Sequence, residues 1–326
     1  MVAELAARIA VLTGREVSAV RVAGGQHGYQ HLDIEFADGS RGFGKAAASA
    51  SASASASGSA SGSASGSASG SAAAEEFAAE ASGLRWLSAA EAIPVPEVLG
   101  VDETALVIDM IPRSGPVDQD TAYRFGGELA RLHAAGSSWG FGAPWPGFIA
   151  SLPLDNGPGT SWPAWYAERR LLPFARLAVD SGALRSADLA LVTTVADRIE
   201  SLAGPAGPEP PSRIHGDCWS GNVLWSHGRG WLIDPAAHGG HRETDLAMLA
   251  LFGAPRLPDV LAGYQAIAPL ADGWQQRVPL HQLHPLLVHA CLFGASYRSA
   301  VIAAARTLLQ LSPSQLPGVR IAGLVD

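Results

Sequence analysis

The segment from 215 to 234 constrains the fold of this chain more than any other, because it sets two carboxylates and one amide at fixed offsets. Asp217 is followed five positions later by Asn222. A short apolar run, a glycine-containing turn and a second apolar run then end at Asp234, and this alternation predicts a β-hairpin. Such a hairpin returns Asp234 to the neighbourhood of Asp217 and Asn222.

The chemistry of this trio is that of phosphoryl transfer. The same offset separates the Asp and the Asn of a kinase catalytic loop, in which the Asp accepts a hydroxyl proton and the Asn holds magnesium. Each residue alone is more often a turn, cap or strand-ending residue. Their joint occurrence predicts Asp217 as the catalytic base, and Asn222 and Asp234 as ligands of the Mg²⁺ that accompanies ATP.

Further candidates for nucleotide binding lie in the N-terminal part of the chain. Lys45 ends a predicted strand, where a kinase places the lysine that contacts the α and β phosphates, and Glu80 on the following helix is the carboxylate that would orient it. Gly24 and Gly25 lie between two predicted strands, where the backbone N–H groups of a glycine-rich loop can cover phosphates. The alternative for each is a surface lysine, a solvated glutamate or an ordinary turn.

The pattern of elements predicts an α+β fold in two lobes. Residues 1–110 predict a small, β-rich, nucleotide-binding N-lobe with one main helix, and residues 111–326 a larger, mostly α-helical C-lobe with the catalytic and acceptor-binding residues. Pro112 marks the hinge, so Asp109 and Ile111 beside it are further candidates for nucleotide contact. The C-lobe helices are predicted at 122–134, 163–180, 187–202, 244–251, 258–267 and over much of 280–311.

Between Lys45 and Glu80 the chain contains a segment, 46–74, made only of Ala, Ser and Gly. Ordering one residue costs about 1–2 kcal/mol of conformational entropy, and such small side chains bury too little surface to offset it. The composition therefore predicts a disordered linker inside the N-lobe. A silk-like strand is the structured alternative, and an engineered linker or a placeholder would have the same composition.

Composition also narrows the class of partner. With 326 residues and 48% hydrophobic content, the chain can build a sizeable core, and its net charge of −8 argues against a nucleic-acid partner. Two cysteines, Cys218 and Cys291, cannot form a disulfide framework, so a reducing, cytoplasmic location is expected. The N-terminus predicts an amphipathic helix rather than a signal peptide, and no membrane span is expected. The sequence leaves the oligomeric state open.

The motifs resemble the fructosamine kinases, also called ketosamine 3-kinases, a family related to aminoglycoside phosphotransferases and choline kinases. The segments that carry the resemblance are HGDCWSGNVLW, LIDPAAHGGHRETDLAML, GFIASLPLDN, WYAERRLLPFARLA, FAAEASGLRWL and IPVPEVLGV. The resemblance covers nearly the whole chain outside 46–74. The departures are QHGYQH after Gly25, Gly44 in place of a branched residue, and Cys218 in place of a common Leu.

The resemblance implies a bilobal protein-kinase-like fold. It also implies phosphorylation, by ATP with Mg²⁺, of the third-carbon hydroxyl of a ketosamine, which is a sugar joined to an amine in early glycation. A small-molecule ketosamine or glycated amine is thus the expected substrate, and the instability of the phosphorylated adduct implies deglycation repair. The resemblance gives the base, the metal ligands, Lys45 and Glu80 the roles described above, and makes Asp245 a structural carboxylate that braces the catalytic loop.

Three alternatives stay open. One is a hydrolytic metal site, which lacks a histidine pair at helical spacing; its members would be His215, Asp217, Asp234, His238, His241 and Asp245. Another is a nucleotide-binding pseudokinase, against which the complete catalytic trio argues. The third keeps the chemistry but changes the acceptor to an aminoglycoside, choline or another small alcohol. An acceptor wall could then be built from aromatic side chains and one carboxylate, unless the aromatics pack in the core; the candidates are Trp162, Trp165, Tyr166 and Glu168.

Overall fold

The computed structural model describes residues 2–26, 28–47 and 70–310. In this part of the chain, an antiparallel sheet flanked by two helices precedes a larger region that is mostly α-helical. The predicted α+β class is confirmed.

In the described part of the N-terminal region, five strands form one sheet in the order β1-β2-β3-β5-β4, and all neighbours are antiparallel. The strands are β1 (Val17–Gln26), β2 (Tyr29–Phe36), β3 (Arg41–Ala47), β4 (Val98–Val101) and β5 (Ala105–Asp109). Successive residues of a strand point to opposite faces. One face, with Leu32 and Ile34, packs against helix α1 (Val2–Thr13). The other face, with Leu106 and Ile108, packs against helix α2 (Gly70–Ser88).

The predicted linker at 46–74 is too long at both ends. Ala46 lies in β3, paired with Gln30 on one side and Ala105 on the other, and Ala47 ends the same strand. At the other end, α2 already begins at Gly70, and Ala73 is buried against the sheet. The methyl group of an alanine is buried favourably where neighbouring strands and helices already supply apolar surface. The composition of the segment does not reveal where such neighbours lie. Residues 48–69 lie outside the described residues.

The helical region begins with α3 and ends with α11. Its helices are α3 (Gln119–Ala134), α4 (Trp162–Tyr166), α5 (Leu172–Asp180), α6 (Ser186–Asp197), α7 (Ile199–Ala203), α8 (Glu243–Leu251), α9 (Leu257–Ile267), α10 (Trp274–Phe293) and α11 (Arg298–Gln310). The prediction of one helix at 187–202 is wrong at Arg198, which separates α6 from α7. The segment predicted at 280–311 is likewise divided, by a 3₁₀ turn at Gly294–Tyr297.

The predicted helix at 163–180 is helical throughout but changes its hydrogen bonding in the middle. Residues Ala167–Leu171 form a π-helical segment, and the N–H of Leu172 bonds the carbonyl of Ala167. Pro173 follows directly and has no N–H to continue the ordinary α-helical ladder. The local loss of a donor explains why the helix widens there.

Short antiparallel pairs frame the cleft between the sheet and the helices. They are β6 (Gly147–Ile149) with β7 (Leu152–Leu154), β8 (Ser212–Ile214) with β11 (His238–Gly240), and β9 (Val223–Ser226) with β10 (Arg229–Leu232). The β9–β10 pair is the hairpin that the sequence predicts. Strand β8 leads directly into the segment that contains Asp217.

Helices α3 and α9 cross with their backbones in contact. A Cβ atom on Gly126 would lie 1.9 Å from the carbonyl oxygen of Val260, and one on Gly263 would lie 1.9 Å from that of Tyr123. No side chain fits at either position, so glycine is required for this approach. The close crossing holds α3 against α9, and His133 near the end of α3 contacts the hydroxyl of Tyr264 on α9 at 2.8 Å.

The run from Trp274 to Gln310 is, among the described residues, long and apolar enough by length and composition to cross a membrane. A core helix of a globular protein passes the same test. Helix α10 contributes Leu280, Leu283 and Leu287 to the largest hydrophobic core, which accounts for much of its apolar character. The expected absence of a membrane span and the cytoplasmic location stay predictions.

Candidate active site

The catalytic trio predicted from the sequence is assembled in the structure. The β9–β10 pairing, from Val223 opposite Leu232 to Ser226 opposite Arg229, carries the chain back toward its starting point. The side-chain N–H₂ of Asn222 donates to Asp217 Oδ2 at 2.8 Å and lies 3.4 Å from the backbone oxygen of Asp234. The three residues therefore share one rim of the cleft.

Asp234 adopts an unusual backbone conformation. Its φ is +52°, in the left-handed region that residues other than glycine rarely occupy. Such strain persists only where surrounding contacts determine it, and it concentrates at functional sites. Here the conformation directs the carboxylate toward Lys45, whose Nζ lies 2.5 Å from Asp234 Oδ1.

Lys45 joins the two halves of the site. It lies on β3 between His31 of β2 and Leu106 of β5, and its Nζ donates to Glu80 Oε1 at 2.9 Å and Oε2 at 2.8 Å. The predicted pairing of Lys45 with Glu80 is thus present despite the intervening Ala/Ser/Gly segment.

The departure at Gly44 has a packing reason. An added Cβ would lie 3.2 Å from the side chains of both Leu32 and Ile34, so glycine leaves room for these core residues. The space that a branched residue would fill is taken by the neighbouring strand.

The charges in the cleft are strongly coupled because they are packed closely. Burial and, to a smaller extent, the negative charge of Asp234 raise the pKa of Asp217 to about 7. Burial alone would lower the pKa of Lys45, but the carboxylates of Glu80 and Asp234 outweigh it and raise that pKa. Burial also raises the pKa of Glu80, against the attraction of Lys45. For Asp234, burial is outweighed by Lys45, and the pKa of this carboxyl is lowered.

Asp245 holds the backbone that precedes Asp217. Its carboxylate is fully buried and accepts the N–H of His215 at 2.8 Å and the N–H of Gly216 at 2.9 Å. His133, from the end of α3, lies with Nε2 3.1 Å from the same carboxylate. These contacts agree with the bracing position that the resemblance implies for Asp245, and the contribution of His133 is not visible in the sequence.

A cavity of about 370 Å³ opens between the sheet and the helical region. The sequence-predicted residues that line it are Lys45, Glu80, Asp217, Asn222 and Asp234. Four others, Gly24, Gly25, Asp109 and Ile111, do not line it. Gly24 and Gly25 lie inside β1, paired with β2, rather than in a free loop, and Asp109 ends β5. Nucleotide contact by these four residues stays a prediction.

Two further walls of the cavity are not predicted from the sequence. One is the segment from Trp145 to Ala150 around β6, of which residues 147–150 belong to the family-like stretch GFIASLPLDN. The other comes from α10 and includes His289 and Phe293, together with Trp219 beside the base. A sequence signal exists for the first wall, but the second depends on how α10 packs.

The acceptor wall proposed from Trp162, Trp165 and Tyr166 is wrong. All three side chains are buried in the largest hydrophobic core, and none of them lines the cavity. Glu168 does not line the cavity either. The aromatics pack the α4 segment against the core, which is the alternative that the sequence left open.

The histidines of the alternative hydrolytic metal site are dispersed. His215 Nε2 lies 2.9 Å from the carbonyl of Ile233, His238 Nδ1 lies 2.7 Å from that of Ala236, and His241 Nε2 lies 3.1 Å from that of Ala206. Each imidazole is thus engaged with the backbone in a different place. The geometry does not favour a hydrolytic centre made from this set.

A different buried group, His241, Glu243 and His281, has donor atoms within 4.8 Å of one another. Arg277 occupies it, with guanidinium nitrogens 2.9 and 2.5 Å from the two oxygens of Glu243. A fixed guanidinium at this position repels a metal cation and already satisfies the carboxylate. The group is better explained as a buried ion pair.

Comparison with known proteins agrees with this geometry. The sequence profile of the family described as fructosamine kinase matches residues 67–311. A relative from Klebsiella aerogenes, named "Probable ketoamine kinase", is 34% identical over 225 residues, which are 68% of this chain and 76% of the relative. A crystal structure from Thermobifida fusca, provisionally assigned as a fructosamine-3-kinase, is 47% identical with a TM-score of 0.84, and the match covers 95% of this chain and 100% of that one.

The fold extends to more distant enzymes. The ADP-bound structure of the aminoglycoside phosphotransferase APH(2'')-Ib matches with a TM-score of 0.57 at 14% identity, over 94% of this chain and 97% of that one. This likeness shows the shared fold and confirms the protein-kinase-like architecture. Because the family profile spans most of the chain and the relatives are similar over two thirds of it, the chain belongs to the fructosamine kinase family of phosphotransferases that act on hydroxyl groups.

Proposed function

We propose that this enzyme transfers the γ-phosphoryl group of ATP to the third-carbon hydroxyl of a ketosamine, with Mg²⁺ bound by Asn222 and Asp234. The observation that carries the proposal is the convergence of Asp217, Asn222, Asp234 and the Lys45–Glu80 pair on one cavity. Family membership supports the sugar-amine acceptor.

The donor set fits a hard divalent cation. Mg²⁺ prefers oxygen ligands, and Asp234 offers a carboxylate that remains partly exposed to the cleft, at 42% of its side-chain surface. Asn222 directs its N–H₂ at Asp217, so its Oδ1 is the atom left to face a cation. When bound, Mg²⁺ would neutralise negative charge on the phosphates.

The remaining chemistry falls to side chains of the chain itself. The acceptor hydroxyl would form the new O–P bond as ADP leaves, and its proton would pass to a carboxylate oxygen of Asp217. A pKa of about 7 suits this carboxyl to accepting a proton near neutral pH. Lys45, held by Glu80, would bind the phosphates, so that most of the rate enhancement comes from positioning and charge.

The cavity favours a ketosamine over an aminoglycoside. Among the described residues that line it, the charged ones are Lys45, Glu76, Glu80, Asp217 and Asp234, all at the nucleotide and catalytic end. The wall contributed by α10 is apolar apart from His289. A polycationic aminoglycoside would need carboxylates along its acceptor wall, whereas a ketosamine has a single amine.

We further propose that the reaction serves deglycation. The resemblance implies that the 3-phosphorylated adduct decomposes and releases the free amine. We therefore expect the free amine to appear after phosphorylation, and chromatography would detect it.

The test is a coupled ADP-release assay with a glycated lysine, free sugars, choline and aminoglycosides as acceptors. A ketosamine should be turned over best, in a magnesium-dependent reaction, with phosphate on carbon three by nuclear magnetic resonance. Asp217→Ala should lower turnover at least about 10²-fold, the low end for a general base. Unchanged turnover in that variant, or phosphate on another hydroxyl, would overturn the assignment.

A further inference from the structure

An arc of aromatic rings continues from the catalytic base to the outside of the cavity. Trp219 follows Asp217 by two positions, and its ring lies 6.0 Å from that of Phe252. Phe252 contacts His289 at 4.8 Å, and His289 lies 5.3 Å from Phe293 and 4.9 Å from Tyr297, measured between ring centroids. We call these five residues the aromatic arc.

Three members of the arc present their surface to the cavity, whereas Tyr297 packs partly against the largest hydrophobic core. Trp219, His289 and Phe293 line the cavity that contains Asp217, and the side chains of Trp219 and Phe293 are 38% and 57% exposed. A single exposed aromatic residue is ordinary, but a connected row that leads from a reacting centre marks a binding surface. Phe293 ends α10 and stands at the outer limit of this row.

Among the arc residues that line the cavity, the polar groups are the imidazole of His289 and the indole N–H of Trp219. His289 Nδ1 lies 2.8 Å from the carbonyl oxygen of Pro285, so this nitrogen carries the hydrogen and Nε2 keeps its lone pair. Burial lowers the pKa of His289, which keeps the ring neutral near pH 7. The part of the arc that lines the cavity therefore offers aromatic faces, the indole donor of Trp219 and the acceptor Nε2 of His289, with no ionised group of its own.

From these observations we propose that the aromatic arc binds the amine substituent of the acceptor and selects ketosamines whose substituent is aromatic and uncharged. The inference rests on the proposed function. The sugar hydroxyl must lie at Asp217, so the substituent on carbon one extends along the arc toward Phe293. Aromatic faces attract the ammonium of the ketosamine and stack on a flat substituent. A carboxylate on the substituent would lose hydration there without gaining a partner.

The experiment compares three 1-amino-1-deoxyfructose acceptors, which carry benzyl, methyl or carboxymethyl on nitrogen. The wild-type enzyme should show a kcat/KM about tenfold higher for the benzyl compound than for the other two. Phe293→Ala should raise KM for the benzyl compound about fivefold or more, and by a larger factor than KM for the methyl compound. Phe293→Tyr should restore the preference, because the ring is retained.

A matched control is available outside the cavity. Tyr123 is an aromatic residue on α3 with a similar exposure of 47%, and it does not line the cavity. Tyr123→Ala should leave all three acceptors unaffected.

The outcomes separate the two proposals. Turnover of all three acceptors at equal kcat/KM, or an equal loss for all three in Phe293→Ala, would overturn the aromatic arc as a selectivity element and leave the ketosamine kinase intact. Failure to phosphorylate even the methyl compound, with ATP and magnesium present, would overturn both.

Discussion

His238 should make the folded state sensitive to mild acid. Its side chain is 5% exposed, its Nδ1 donates to the carbonyl of Ala236, and its ring packs 5.4 Å from that of Trp165. Burial and, to a smaller extent, the nearby positive charge of Arg170 lower the pKa of His238 to about 3. The imidazole is therefore neutral in the folded protein throughout the range from neutral to mildly acidic pH.

The sign of the effect follows from proton linkage. The pKa of a histidine in the unfolded chain is about 6.5, so below this pH the unfolded state binds a proton that the folded state does not. The contribution to stability is complete above about pH 6.5 and is lost progressively as the pH falls. At about pH 5 the gap of roughly 1.5 pH units corresponds to a loss of about 2 kcal/mol.

Other groups change stability in the opposite direction over the same range. Burial raises the pKa values of Asp217 and Glu80 to about 7, so in mild acid their folded forms bind protons that the unfolded chain does not. The wild-type stability curve alone therefore does not isolate His238. A variant that removes the imidazole but leaves the carboxyls in place does.

The test is urea unfolding of the wild type and His238→Asn at about pH 7 and about pH 5. Asparagine can still donate to the carbonyl of Ala236 but cannot gain a proton in this range. When the pH is lowered from about 7 to about 5, the free energy of unfolding of the wild type should fall by about 2 kcal/mol more than that of the variant. A difference between the proteins that stays constant with pH would refute a buried, neutral His238.

Three other substitutions test the site and its support. Lys45→Met removes the cation that faces the phosphates, so kcat/KM for ATP should fall about 10²-fold or more in the ADP-release assay, and an unchanged value would contradict its proposed role. Arg213→Met removes a 2.6 Å hydrogen bond to the carbonyl of Trp86 and a guanidinium contact 4.7 Å from the ring of the same residue. The free energy of unfolding in urea should fall by about 2 kcal/mol. An unchanged urea midpoint would mean that these contacts do not stabilise the packing of α2 against β8. Gly126→Ala places a methyl 1.9 Å from the carbonyl of Val260, so thermal unfolding should show about 3 kcal/mol or more of destabilisation, whereas a wild-type melting temperature would mean that α3 and α9 can separate without cost.

Local patterns were sufficient where the interacting residues lie close together in the chain. Asp217, Asn222 and Asp234 belong to one loop and hairpin, and turn chemistry with alternating apolar residues predicts how that hairpin closes. The same holds for β9 (Val223–Ser226) and β10 (Arg229–Leu232), which form where the two apolar runs predict them. In these segments the nearest neighbours in sequence are also the nearest neighbours in space.

Sequence patterns were insufficient where a change in backbone hydrogen bonding, or a contact with a residue far away in the chain, decides the local structure. Pro173 lies in a segment with helical periodicity, yet the missing donor produces a π-helical stretch beside it. Trp162 is a residue type that often lines binding sites, but here its ring stacks on buried His281, with the ring centroids 4.7 Å apart. Aromatic residues look alike in sequence whether they face a cavity or a core.

The sequence by itself determined which three residues, Asp217, Asn222 and Asp234, come together, the α+β class and, through family-like motifs, the type of chemistry. The tertiary structure alone brought Lys45 to Asp234 across 189 positions and placed His133 on Asp245 across 112. It also turned Phe293 of α10 toward the cavity that contains the base. Short-range hydrogen bonding and periodicity are encoded within a few neighbouring residues, whereas the shape and charge of a cleft depend on how whole helices and sheets pack.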